Sequence, residues 1–127
     1  MNIKLRKVDV AKLTEVKSRT ILDWTQRGYI VPAEKAIGQG KISYYSLANA
    51  VQVKVLSILF SLGFTPKLIN TVFGKEFLDL GIFEPSCEWN SVTKEQEDLN
   101  GIFISIGIGI KKIKQDIAAK LKHYEPL

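Results

Sequence analysis

Apolar residues recur at helical spacing through the first half of the chain. Between Lys17 and Arg27, Ile21 and Trp24 lie three apart and point one way, while Arg19, Thr20, Asp23 and Arg27 line the other side of a short amphipathic helix. Gly28 ends that helix, and Tyr29-Ile30-Val31-Pro32 reads as extended. Upstream, Val8-Asp9-Val10-Ala11-Lys12-Leu13 predicts a first short helix, and Thr14-Glu15-Val16 leaves room only for a tight turn. From the capping residue Ser46, the positions Leu47, Val51, Val55, Ile58, Leu59 and Leu62 predict a third helix, which Gly63 stops. Thr65-Pro66 then pairs an N-cap with proline at the first helical position, opening a fourth helix that buries Leu68, Ile69, Val72 and Phe73 and either frays near Gly74 or continues to Leu80.

The intervening segment has hairpin chemistry. Gly38-Gln39-Gly40 separates Lys35-Ala36-Ile37 from Lys41-Ile42-Ser43-Tyr44-Tyr45, which suggests a wing after the second helix. From Gly81 to Gly101 the periodicity lapses: Pro85, Asn90, Glu95-Gln96-Glu97-Asp98 and Asn100-Gly101 read as turns, with a short strand near Trp89. Order returns with an expected strand, Ile102 to Ile106. A helix follows, whose apolar stripe Ile110, Ile113, Ile117 and Leu121 opposes Lys111, Lys112, Lys114, Lys120 and Lys122. The predicted fold class is therefore mainly α with a small β wing: a winged helix-turn-helix of four helices over residues 1–75, and a C-terminal strand-helix appendage over 76–127. The appendage is expected to serve dimerisation or regulation, with Ile110, Ile113, Ile117 and Leu121 as the contact between two chains; the alternative is that the stripe folds back onto Val72 and Phe73 of its own domain.

Charge sharpens this division. The chain of 127 residues carries a formal +5, but residues 1–75 hold twelve Lys/Arg against four Asp/Glu, net +8, and residues 76–127 are net −3. A basic half that coincides with the helix-turn-helix pattern suits a polyphosphate partner. One cysteine, Cys87, excludes an internal disulfide and fits a reducing, cytoplasmic setting. No run approaches the about 18 apolar residues of a membrane span.

The order helix, turn, helix, wing, long helix, Leu-Gly-Phe-Thr, helix resembles the mercury-resistance regulator (MerR) family over roughly Ile3 to Phe73. Val16, Arg19-Thr20-Ile21, Trp24, Arg27-Gly28-Tyr29-Ile30, Pro32, Tyr45-Ser46 and Leu62-Gly63-Phe64-Thr65 carry the likeness. It implies a four-helix DNA-binding unit with Arg19 at the groove and a wing, with cations Lys35 and Lys41, laid along phosphates. The chain departs from the family at Leu22, where many members are basic, at Asp23, where many are aromatic, and at Ser43 near a common arginine position; no long coiled-coil helix is evident after Phe73. An acidic residue facing DNA repels phosphate unless it accepts from a cytosine amino group or orients Arg19 or Arg27.

The expected function is a sequence-specific, DNA-binding transcriptional regulator acting as a homodimer on double-stranded DNA, with RNA polymerase a further partner. Its DNA-binding residues are expected to be Lys17, Ser18, Arg19, Thr20, Asp23, Arg27, Lys35, Lys41, Tyr44 and Tyr45. Two alternatives stay open: an excisionase-like DNA-bending factor, and a protein-interaction module using the exposed Ile stripe and acidic loop. No cofactor is expected. Cys87 and His123 alone are too few for a soft-metal site, and no nucleophile-base pair or phosphate-binding glycine loop suggests an enzyme. Phe77, Phe83, Trp89 and Phe103 read as core in preference to a ligand pocket, so the sequence names no small-molecule effector.

Overall fold

The computed structural model describes residues 4–35, 42–73, 83, 92–97 and 103–123. Helix α1 spans Lys7–Thr14, α2 Ser18–Gln26, α3 Leu47–Ser61, α4 Pro66–Phe73 and α5 Ile110–Lys122, with strands β1 (Val92–Glu97) and β2 (Phe103–Ile108) between α4 and α5.

Local chemistry fixes the ends of these helices. Asp9 accepts from the Arg6 amide at 2.9 Å and so closes the first turn of α1. Ser46 and Asn49 cap α3 reciprocally: the Asn49 amide donates to Ser46 Oγ at 3.1 Å, and the Ser46 amide to Asn49 Oδ1 at 3.0 Å. Thr65 Oγ1 accepts from the Leu68 amide at 3.1 Å, the cap expected before Pro66. Helices α2 and α3 stop by one device. Beyond α2, Tyr29 N donates to Trp24 O and Gly28 N to Thr25 O; beyond α3, Phe64 N donates to Leu59 O and Gly63 N to Phe60 O. Both glycines take the positive φ this closure needs, 83° at Gly28 and 95° at Gly63.

Between α1 and α2 the turn is made without glycine. Glu15 sits at φ 62°, ψ 24°, while Thr14 Oγ1 donates to Val10 O and accepts from the Val16 amide. A left-handed glutamate is unfavourable. Its carboxylate meets Lys120 Nζ of α5 at 3.2 Å, and that contact holds the Glu15 carboxyl below its ordinary pKa. A lowered carboxyl pKa means the bridge is intact at neutral pH and is lost only as pH falls through the acid range. Exposed pairs of this kind contribute little. Glu15→Gly is therefore expected to raise the thermal midpoint modestly, since relief of backbone strain outweighs the lost pair; a lowered midpoint in calorimetry would show that the bridge dominates.

The core draws on all five helices. Leu5, Val10, Leu13, Ile21, Ile30, Val51, Val55, Leu56, Leu59 and Ile69 are buried together with Phe83, Ile110 and Ile117. Helix α5 packs on α1 and α3. Two residues of the sequence-predicted stripe, Ile110 and Ile117, are thus buried in the chain's own core, and Ile113 and Leu121 pack half-buried against it. Ile110 and Ile117 are thereby withdrawn from the expected dimer contact, since α1 and α3 cover this side of α5, while Ile113 and Leu121 keep part of their surface exposed. Their burial also carries the core across the expected boundary at residue 75.

Four further expectations are corrected. Leu68 is exposed beside the buried Ile69, and Leu62 is exposed because it caps α3 beyond its last helical residue. Glu95, Gln96 and Glu97 lie in β1, not in a turn. Antiparallel pairing with β2, in the register Val92 with Ile108 and Glu97 with Phe103, supplies the order that their polar sequence does not. Strand β2 runs to Ile108, past the expected end at Ile106. The expected strand near Trp89, Cys87 and Phe77, the wing turn at Gly38-Gln39-Gly40 and the side chains of Val72, Phe73 and Phe103 lie outside the described residues.

Candidate nucleic-acid interface

Helix α2 is set by what it buries. Ile21 is fully buried and Trp24 nearly so, with the indole edge-on to Phe60 of α3 at 5.2 Å between centroids. Thr25 Oγ1 donates to Ile21 O at 2.8 Å and lies 2.9 Å from the Tyr45 hydroxyl. With that face anchored, Arg19, Leu22, Asp23, Gln26 and Arg27 are left exposed at helical spacing on the opposite face. Lys17, at the N-cap, is exposed; Ser18 and Thr20 are half-buried at its margin.

The charges on this face are unequal. Arg27 Nε contacts both carboxylate oxygens of Asp23 at 3.0 Å, one turn back along α2. Asp23 first, and the Tyr29 hydroxyl second, hold the guanidinium charged and raise the Arg27 pKa above its ordinary value. Of the two roles the sequence left open for Asp23 within the protein, the geometry selects Arg27 over Arg19. Among the described residues Lys17, Arg19 and Lys35 have no ion-pair partner. Lys17 and Arg19 are thus the unpaired cations on and beside this face of α2.

The base of the segment after α2 is stitched to the N-terminus. Glu34 and Tyr44 exchange backbone hydrogen bonds at 3.0 and 2.8 Å, and Leu5 and Tyr45 do so at 2.9 and 2.7 Å. Lys4 Nζ reaches Glu34 Oε1 at 2.9 Å, stands 5.7 Å from the centre of the Tyr44 ring, and has its pKa raised chiefly by its hydrogen bond to Glu34. Asn49 Nδ2 donates to Val31 O at 2.9 Å, tying the exit from α2 to α3. Lys35 leaves this base exposed, whereas Lys41 lies outside the described residues.

Of the sequence-predicted contacts, Lys17, Arg19, Asp23 and Arg27 fall on or beside one exposed face of α2, and Tyr44 is half-buried below Lys4. Tyr45 is corrected: it is 2% exposed, with its hydroxyl at Thr25, and so supports α2 from within. Leu22 and Gln26 were missed. The signal was present, since both lie three or four residues from Arg19 or Asp23 on the same face.

A short first helix, a tight turn, and a second helix anchored by one face and presenting free cations on the other define a helix-turn-helix DNA-binding protein. Residues 6–76 match the sequence model of the MerR HTH family regulatory proteins, more than half of the chain, and the chain belongs to that family. No curated protein matches it. It is a DNA-binding transcription regulator of the helix-turn-helix type. No helix among the described residues is long and apolar enough to cross a membrane.

Proposed function

We propose that the protein reads a specific sequence in double-stranded DNA by placing α2 in the major groove. The observation that carries this is the free Arg19, exposed on a helix whose opposite face is locked by Ile21 and Trp24. A side chain on a rigid helix can distinguish base edges, because its position is set before the duplex arrives. Lys17, Ser18, Thr20 and Tyr44 flank it as contacts to phosphate or sugar, and Arg27, held by Asp23, keeps a fixed place in the register. Lys35 and Lys41 of the wing contact phosphates. Residues 1–75 carry all these contacts; residues 76–127 contribute α5, which braces α1 and α3.

A two-fold operator suits a homodimer. Its contact is expected outside Ile110 and Ile117, and RNA polymerase is the machinery on which such a regulator acts, in the cytoplasm. Burial of Ile110 and Ile117 in the chain's own core weighs against the protein-interaction module.

The reading is tested by the salt dependence of binding to duplex DNA. Affinity is expected to fall steeply with salt, as counterion release requires, and a flat response would contradict it. Replacing Lys35 and Lys41 together with Ala should weaken binding to all duplexes alike and make that slope shallower by roughly two, with base preference unchanged. A changed base preference in the same titrations would show that the wing reads sequence.

A further inference from the structure

We propose that Leu22 reads the 5-methyl group of a thymine in the major groove. The inference rests on α2 being the reader helix, and it assigns to that helix an apolar contact alongside the polar one at Arg19. Leu22 is 40% exposed on the face formed by Arg19, Leu22, Asp23, Gln26 and Arg27, with Arg19 one turn before it and Gln26 one turn after. Nothing in the fold requires a leucine here, because Ile21 and Trp24 already anchor the helix.

The neighbours of Leu22 decide what it can meet. Both oxygens of Asp23 are engaged by Arg27, so the carboxylate beside Leu22 is already partnered within the helix, and the charge of the face without an ion-pair partner is Arg19. The other large apolar side chains exposed among the described residues lie elsewhere: Val31 and Ile42 beside the segment after α2, Leu62 and Leu68 around the turn from α3 to α4. Leu22 alone among these five stands on the helix face that carries Arg19. An anionic duplex drawn to Arg19, Lys17 and Lys35 therefore meets an apolar side chain on that same face. The apolar feature a base pair shows in the major groove is the thymine methyl, and an aliphatic side chain is its complement.

The test uses the duplex site recovered by selection, with its thymines replaced one at a time by deoxyuridine, which keeps every hydrogen-bonding group and lacks only the methyl. The wild-type protein is expected to lose about fourfold in affinity at one thymine of each half-site, the worth of withdrawing one methyl group from water. Leu22→Ala should bind the thymine and uridine duplexes alike. Leu22→Met, which keeps an apolar side chain, should retain the penalty, and the circular dichroism of both variants should match the wild type because Leu22 is outside the core. Equal binding of every uridine duplex by the wild type overturns the proposal, as does a full penalty persisting in Leu22→Ala. A wild-type protein that selects no site at all overturns instead the parent reading of α2, and does so before any uridine is introduced.

Discussion

Arg19→Ala is expected to weaken binding to the specific site by about 1–3 kcal/mol, a loss of roughly five- to 150-fold, and to leave the melting temperature unchanged. Arg19 is exposed and has no ion-pair partner among the described residues, so its removal breaks no internal contact. The effect should fall on discrimination more than on attraction: binding to random duplexes should drop far less than binding to the selected site. Titration of both duplexes with the folded variant separates the two. Unchanged affinity for the selected site would remove Arg19 from the reading face.

The second large effect lies in the core. Ile117→Ala is expected to destabilise the protein by about 2–5 kcal/mol, the range for truncating a buried isoleucine. Ile117 is 2% exposed within the single chain, on the helix that packs against α1 and α3. Because the lost contacts are intramolecular, the destabilisation should be the same at every protein concentration. Denaturant unfolding at two widely separated concentrations checks this. A loss of stability that vanishes at low concentration would return Ile117 to an interface between chains.

The contrast between α2 and α5 shows what the sequence makes legible. In α2 the spacing of Ile21 and Trp24 was enough to orient the helix, and the tight turn and Gly28 bounded it. Thr20 was read as facing outward, yet it precedes Trp24 by four residues and so shares the edge of the buried face. Leu22 stands out in the sequence only as a departure from the family, and its position relative to Ile21 and Trp24 is what places it on the exposed face. In α5 the stripe itself was legible but its partner was not: periodicity says that a face needs cover, and only the fold says that α1 and α3 supply it.

Strand β1 illustrates another limit. Thr93-Lys94-Glu95-Gln96-Glu97 lacks the alternation of apolar and polar residues that announces a half-buried strand, and its order comes from pairing with β2. Tyr44 and Tyr45 carried more information than was drawn from them. Neighbouring residues in extended chain point to opposite sides, so one of the two had to turn inward, and the structure shows that it is Tyr45.

The central claim, that this family member reads a particular DNA sequence through α2, is tested most directly by selecting bound duplexes from a random pool with the wild-type protein and with Arg19→Ala in parallel. The account predicts that the wild type enriches one sequence, arranged as two inverted half-sites, and that the variant loses preference at defined positions within each half. A wild-type pool that stays random, or a variant that enriches the same sequence with the same strength, would contradict it.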